Sequence, residues 1–171
     1  MKSRSLKTLT AGLSLILLLV SCQIKVTLLN PVTVPFITDH NRMVVDAEIQ
    51  RNDISWRKVR LWVDTGNPTF FISEALASDL GIDLSATEDT AFKSPGLLVT
   101  APAALRFGSR RISLDSVKSR VIFQPFWLFS TMHIDANLPA TVLKKYNVVF
   151  DYPKQELTLA EPGEAKVTTL L

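Results

Sequence analysis

Hydrophobic and polar residues alternate along much of the chain in the short runs that are typical of β-strands. Arg57–Val63 has an apolar residue at every second position, and the apolar run Met43–Ile49 precedes it across the turn-forming residues 51–53. These two segments therefore predict a β-hairpin. The hairpin leads directly into the triplet Asp-Thr-Gly at 64–66.

The remaining pattern predicts more strands and two short helices. Ser73 and Gly81 are suitable capping residues for a helix over Glu74–Leu80, and Pro139–Tyr146 predicts a second helix with proline in its first turn. Further strands are predicted at Val32–Ile37, Thr69–Ile72, Ala104–Phe107, Ile112–Val117, Val121–Phe123, Val148–Tyr152 and Glu156–Ala160. Two helices among so many short strands predict a compact, mainly β, barrel-like domain.

The first residues have the pattern of a secretory signal. Lys2, Arg4 and Lys7 precede an apolar stretch of about a dozen residues, which is shorter than the roughly 20 residues that span a bilayer. Without residues 1–21 the chain has sixteen basic and sixteen acidic side chains, so the formal charge of +3 belongs to this leader. The rest of the chain has no signature of nucleic-acid binding, and no nucleic-acid partner is expected.

The apolar stretch ends in Leu-Val-Ser-Cys at 19–22, and Cys22 is the only cysteine of the 171 residues. A single cysteine excludes a disulfide framework within one chain. The tetrapeptide resembles the lipobox of bacterial lipoproteins, which implies that Cys22 is acylated and becomes the first mature residue. The resemblance implies a membrane anchor in the cell envelope, and Gln23 after the cysteine favours the outer membrane, facing the periplasm, in a host that has one. An ordinary signal peptide with a chance cysteine is the alternative.

The length of the chain and the positions of its turn-forming residues predict one folded domain. The predicted organisation is a signal peptide over 1–21, a tether over 22–31, a β domain over 32–161 and a flexible tail over 162–171, which includes Pro162-Gly163.

Asp64-Thr65-Gly66 is the clearest candidate for chemistry, because it lies between two apolar strands. This strand–Asp–turn–strand arrangement resembles the active-site loop of aspartic proteases. The segments Leu143–Pro153 and Leu157–Leu159 resemble the closing helix and hairpin of retropepsin-like domains, and residues 105–123 resemble their intervening hairpin. The resemblance spans about residues 34–160 and implies a retropepsin-like closed β barrel. Such a barrel corresponds to one half of a two-lobed acid protease.

The resemblance implies an aspartic endopeptidase that cleaves a peptide or protein substrate. Two carboxylates about 3 Å apart cannot both ionise, so one activates water as a base while the other keeps a proton. Thr65 would link two active-site turns, and Gly66 would allow close approach to the other carboxylate. Because one chain supplies one such triplet, Asp64 and its symmetry mate would form the site in a homodimer. No cofactor or metal is expected.

Three departures from the family pattern keep other functions open. Asn67 and Pro68 follow the triplet, residues 134–138 contain no glycine, and the expected flap over 91–101 offers only Gly96 as a possible flap glycine. One alternative is a non-catalytic envelope lipoprotein that uses the same β domain for binding or structure. Another is a β-barrel lipoprotein unrelated to proteases.

Other polar residues have simpler interpretations. His133 and Asp135 could form a catalytic or metal site, and Asp135 could pair with Asp64 within the chain, but structural or surface roles are favoured for His133 and Asp135. His40 lacks metal-ligand spacing, and Ser73 is better explained as a helix cap than as a nucleophile. Asp151 is interpreted as a turn residue. The aromatic segment 122–129 is predicted to pack in the core, with a substrate or dimer surface as the alternative.

Overall fold

The computed structural model describes residues 23–84, 96–123 and 127–170, and eleven strands and three short helices lie within these ranges. The strands are β1 Gln23–Asp39, β2 Arg42–Gln50, β3 Trp56–Asp64, β4 Phe70–Ser73, β5 Leu97–Val99, β6 Ala104–Phe107, β7 Arg110–Ser113, β8 Ser119–Ile122, β9 Ala136–Pro139, β10 Asn147–Asp151 and β11 Glu156–Leu170. The helices are α1 Glu74–Leu80, α2 Trp127–Met132 and α3 Ala140–Leu143. The fold is mainly β, as the sequence predicts.

Residues 28–163 form one compact unit, and the strand ends at 23–27 and 164–170 belong to a second. Strand β1 thus begins within the segment predicted as a tether, and β11 continues into the segment predicted as a tail. The candidate site lies entirely in the unit formed by residues 28–163.

Antiparallel hairpins build the first part of the sheet. Strands β1 and β2 are joined by His40 and Asn41, which have φ angles of 46° and 59°, as a tight hairpin turn requires. Strands β2 and β3 form the predicted hairpin, in which Val45 lies opposite Leu61. Both of these side chains are buried, so the alternation of the sequence places one face of the hairpin against the core.

Strand β9 lies between two strands that are consecutive in the chain. The sheet runs in the order β10-β11-β1-β2-β3-β9-β4-β8-β5, and β6 pairs with both β2 and β7. Strand β9 is parallel to β3 and antiparallel to β4. The loop that joins β3 to β4 therefore passes over the carboxyl end of β9, and this crossing holds the triplet at 64–66.

Apolar side chains cover both faces of the sheet near this crossing. One cluster contains the fully buried residues Leu61, Phe70, Ile72 and Leu138. A second cluster lies beneath α2 and is formed by Val44, Ile122, Leu128, Phe129, Met132 and Ile134, with Trp62 and Phe71 packed against it. Strand β3 is therefore held from both sides immediately before Asp64.

The helices agree with the sequence to different degrees. Helix α1 is confirmed with both caps, since the Ser73 hydroxyl accepts a hydrogen bond from Leu76 N and Gly81 has a φ of 71°. Helix α3 covers only the first turn of the predicted 139–146 segment. Helix α2 was not predicted; it lies in the aromatic segment, where Leu128 and Phe129 are buried but Trp127 is 52% exposed.

Candidate active site

Asp64 is the last residue of β3 and lies opposite Pro139 at the end of β9. Only 8% of the residue is exposed, although Thr65 and Gly66 directly after it are exposed. A buried carboxyl needs hydrogen-bond partners, because burial without them is costly. Two N–H groups of the same chain supply them.

The first partner lies within the triplet. The backbone N–H of Gly66 donates to Asp64 Oδ1 over 3.2 Å, which closes a tight turn around the carboxylate. Asn67 continues this turn, since its Oδ1 accepts a hydrogen bond from Thr69 N at 2.8 Å. The residues 64–69 therefore form a loop whose shape is set by two side-chain-to-backbone hydrogen bonds.

The loop is also attached to the start of α3. The carbonyl of Asn67 accepts a hydrogen bond from Ala140 N at 2.9 Å, and the carbonyl of Pro68 accepts one from the Thr141 hydroxyl at 2.7 Å. Asn67 and Pro68, which depart from the family pattern, thus join the loop to the segment that follows β9. This attachment fixes the position of Asp64 relative to α3.

The second partner of Asp64 is Asn137, a residue of β9 that belongs to no motif of the sequence. Its side chain is fully buried, and its Nδ2 donates to Asp64 Oδ2 at 3.3 Å. The same amide donates to the carbonyl of Thr69 at 3.0 Å and accepts from Phe71 N at 2.7 Å. The signal in the sequence was a polar residue inside a short apolar strand, but only the sheet order shows what it contacts.

Thr65 is one of the residues that line an apolar groove. The groove has a volume of about 310 Å³ and lies between α3 and the strand β10. Its lining residues are Thr65, Ala140, Leu143, Lys144, Tyr146, Val148 and Phe150. Burial raises the pKa of the Tyr146 phenol above its ordinary value.

Asp135 lies at the other end of the β3–β9 pair. It directly precedes Ala136, which is opposite Leu61, whereas Asp64 is opposite Pro139. At about 3.3 Å per residue, the backbones of Asp64 and Asp135 are about 13 Å apart along the strands. The Asp135 carboxylate accepts hydrogen bonds from Arg60 N at 2.8 Å and Arg57 Nη1 at 3.3 Å. These contacts give it a structural role.

The two histidines and the remaining polar residues have surface or turn positions. His133 is exposed with a φ of 51°, and His40 Nδ1 lies 2.6 Å from Asp39 Oδ1. Asp151 accepts hydrogen bonds from Lys154 N and Nζ in the β10–β11 turn. Among the described residues, no three or more His, Cys, Asp or Glu side chains are grouped as a metal would require.

Gly96, the predicted flap glycine, lies directly before β5. Its φ is 103°, and a Cβ at this position would collide with the carbonyl oxygen of Val121. Its own carbonyl accepts a hydrogen bond from the buried Arg120 guanidinium at 2.9 Å. Only glycine fits this close approach. Residues 91–95 of the predicted flap and Cys22 lie outside the described residues, so the flap and the lipid site stay predictions.

Comparison of the sequence with models of protein families and with characterised proteins gives no match. The structure does have solved neighbours. A retropepsin-like aspartic protease from Rickettsia conorii superimposes with a TM-score of 0.53 at 16% identity, over 86% of this chain and 98% of that one. The chain has a retropepsin-like fold. The retroviral protease-like domain of Ddi1 from Leishmania major aligns with a TM-score of 0.48 at 14% identity, over 82% of this chain and 96% of that one.

Proposed function

We propose that the chain is an aspartic endopeptidase whose catalytic carboxylate is Asp64. The observation that carries the proposal is that Asp64 ends β3 opposite the end of β9, in a chain whose fold is retropepsin-like. It ends a strand that is packed on both faces, and N–H groups from Gly66 and Asn137 bind its two oxygens. The carboxylate is thus fixed in one orientation at the base of an exposed loop, which is what a preorganised catalytic group needs.

Peptide hydrolysis by this chemistry needs a second carboxyl. One carboxylate takes a proton from the attacking water, while a protonated partner hydrogen-bonds to the substrate carbonyl oxygen. Within the chain, Asp135 is bound to Arg57 and Arg60 and lies at the far end of β9. The second carboxyl is therefore assigned to Asp64 of another copy, across a twofold axis.

The surface beside Thr65 supports assembly of two copies. β10 ends the strand order of the sheet, and Val149 on this strand is 44% exposed. An apolar strand at an edge tends to pair with another chain unless it is protected. The adjoining apolar groove extends from β10 to Thr65, so a copy bound here would lie beside the active-site loop.

Membrane anchoring through Cys22 is part of the proposal and rests on the sequence of residues 19–22. In the part of the chain that the structure describes, no helix has the length and apolar character needed to cross a bilayer. Acyl chains on Cys22 would hold the enzyme at a membrane of the cell envelope. Cys22→Ser should release the protein from membrane pellets and abolish the incorporation of labelled fatty acid. Retention of the variant, with no label in the wild type, would contradict the anchor.

The catalytic assignment is tested by digestion of a peptide library with the full chain in detergent. The wild type should cleave, and Asp64→Asn should not, because an amide cannot accept the proton from water. Asp46→Asn is the matched control, since Asp46 is an exposed carboxylate on β2 whose side chain is 80% accessible. Equal cleavage by the wild type and Asp64→Asn would eliminate Asp64 as the catalyst.

The second candidate function is a non-catalytic envelope lipoprotein. It is favoured by one observation: residues 134–138, before the closing helix, contain no glycine, whereas most members of the retropepsin-like family carry one in this segment. Such a protein would show no cleavage over a broad range of concentrations at which it forms dimers. Asp64→Asn would then change only its stability.

A further inference from the structure

Asn137 combines two contacts that join β9 to the start of β4 with one contact to Asp64. It is an amide in a strand whose four residues are all buried, and it lies opposite Trp62 in the pairing with β3. An alkyl side chain of similar size would leave Phe71 N, Thr69 O and Asp64 Oδ2 without this partner. The polar groups of Asn137 are all directed at the loop that carries Asp64 and at the start of β4.

The orientation of the amide follows from its hydrogen bonds. Phe71 N can only donate, so the atom 2.7 Å from it is the acceptor Oδ1. The other atom is then Nδ2, which donates to the carbonyl of Thr69 and to Asp64 Oδ2. The assignment is forced by three partners, since a flipped amide would place Nδ2 against the donor Phe71 N and Oδ1 against the acceptor oxygens of Thr69 and Asp64.

The amide also replaces backbone pairing that the sheet lacks here. Strands β4 and β9 share one residue pair, Ile72 opposite Ala136. The Asn137 side chain donates to Thr69 O and accepts from Phe71 N, as the backbone of a paired strand would. It thereby extends the short contact between β4 and β9. The start of β4 and the Asp64 carboxylate are consequently held by the same group.

We propose that Asn137 is a positioning residue for Asp64, and the proposal rests on the function proposed above. Gly66 N holds Oδ1 and Asn137 Nδ2 holds Oδ2, so the plane of the carboxylate is fixed by one donor on each oxygen. Asn137 is fully buried, so its side chain is not accessible to a substrate. Its effect is on the direction in which Asp64 faces the reacting water and the second carboxyl.

The contact itself is tested by NMR on the full chain in detergent, without any assay of activity. In the wild type the Asn137 side-chain amide protons should be protected from exchange with solvent. Asp64→Asn should shift the Nδ2 proton that faces position 64, whereas the control Asp46→Asn should leave it unchanged. An amide resonance that is the same in the wild type and Asp64→Asn would overturn the proposal.

The consequence is tested by kinetics on two variants. Asn137→Asp keeps the shape and the acceptor for Phe71 N but replaces the donor, and Asn137→Leu removes every polar contact. In both variants kcat should fall about 100-fold, with KM nearly unchanged, because the carboxylate is misdirected while the substrate surface is intact. Asn52→Asp is the matched control, since it removes an amide-to-carbonyl bond to Gly81 at the exposed β2–β3 turn.

The outcomes separate the two proposals. A folded Asn137→Asp variant that keeps the wild-type kcat would overturn the positioning role, as would an unshifted amide resonance. If Asn137→Leu does not fold, Asn137→Asp and the amide resonance in Asp64→Asn still decide the question. If the wild type cleaves no peptide, the proposed activity fails, and the amide resonance alone then decides whether Asn137 positions Asp64.

Discussion

Two aspartates lie at opposite ends of the β3–β9 pair, and their surroundings differ in kind. Asp64 is bound by the neutral N–H groups of Gly66 and Asn137, whereas Asp135 is bound by the backbone of Arg60 and the guanidinium of Arg57. A guanidinium binds a carboxylate through a strong, charge-assisted hydrogen bond. Neutral donors fix the orientation of a carboxylate and leave it available for proton transfer. The partner, more than the burial, therefore distinguishes the candidate catalytic aspartate from the structural one.

Replacing aspartate by asparagine at each end of the β3–β9 pair, at position 64 or at position 135, gives the largest predicted difference in activity. Asp64→Asn should lower kcat/KM by about 100-fold to 10,000-fold, because the general base is lost. Asp135→Asn should keep activity close to that of the wild type, since it retains an oxygen for Arg60 N. Thermal melts should show that both variants fold. Loss of activity in Asp135→Asn, with full activity in Asp64→Asn, would reverse the assignment of the two carboxylates.

Gly66→Ala gives the next largest effect and tests whether a second copy of the chain approaches the active-site loop closely. A Cβ on Gly66 would lie 3.8 Å from Asp64 Oδ1, an ordinary contact, so the chain itself has room for it. The free energy of unfolding should change by about 1 kcal/mol or less. Activity should nevertheless fall about 100-fold if a second copy approaches this loop closely. Urea unfolding and peptide cleavage measure the two quantities, and an active Gly66→Ala enzyme would contradict a close approach.

Asp135→Ala should lower the stability of the fold and leave the peptide-cleavage activity nearly unchanged. The substitution removes the acceptor of Arg60 N and leaves a partly buried donor without its partner. The free energy of unfolding should fall by about 1 to 3 kcal/mol. Hydrogen exchange should quicken at the Arg60 amide more than at the Gly66 amide. An unchanged urea midpoint would show that Asp135 does not hold β3 and β9 together.

The smallest effect concerns Asp79, which shares Arg57 with Asp135. A hydrogen bond from Arg57, together with the charge of Arg51, lowers the pKa of the Asp79 carboxyl below its ordinary value of 3.8. Because the folded-state pKa is the lower one, this contribution to stability is complete above the unfolded pKa. It is lost as the pH falls through the folded pKa.

The check on Asp79 compares acid unfolding of two proteins. Between about pH 7 and about pH 2 the urea midpoint of the wild type should fall slightly more than that of Asp79→Asn. Asp79 is exposed, so the difference should be small and should shrink further at high salt. Identical pH profiles for both proteins would show that this ion pair contributes nothing.

The sequence predicts those parts of the fold that depend on neighbouring residues. The hairpin leading to Asp64, the caps Ser73 and Gly81 of α1 and the β10–β11 hairpin all have local signals, and the structure contains each of them. The turn at Gly66 also follows from residues that are adjacent in the chain. These features need no knowledge of the sheet order.

The parts that escaped prediction depend on distant residues. Asn137 is 73 residues from Asp64, and its role follows from the placement of β9 between β3 and β4, which no local pattern shows. In the sequence, residues 134–138 differ from the retropepsin-like pattern by the lack of a glycine, and nothing local indicates a role for this amide. Helix α2 was missed because its aromatic residues also suit a strand, and only the apolar cluster on the outer face of β3 explains its position.

The central claim is that one site contains Asp64 from two copies of the chain, and mixing of subunits tests it most directly. Wild type and inactive Asp64→Asn are combined in equal amounts, allowed to exchange subunits, and assayed at constant total protein. If both carboxylates are required, only wild-type pairs are active, and activity should fall to about one quarter of that of the unmixed wild type. A fall to about one half would mean that each chain acts with a single Asp64, and this result would contradict the shared site.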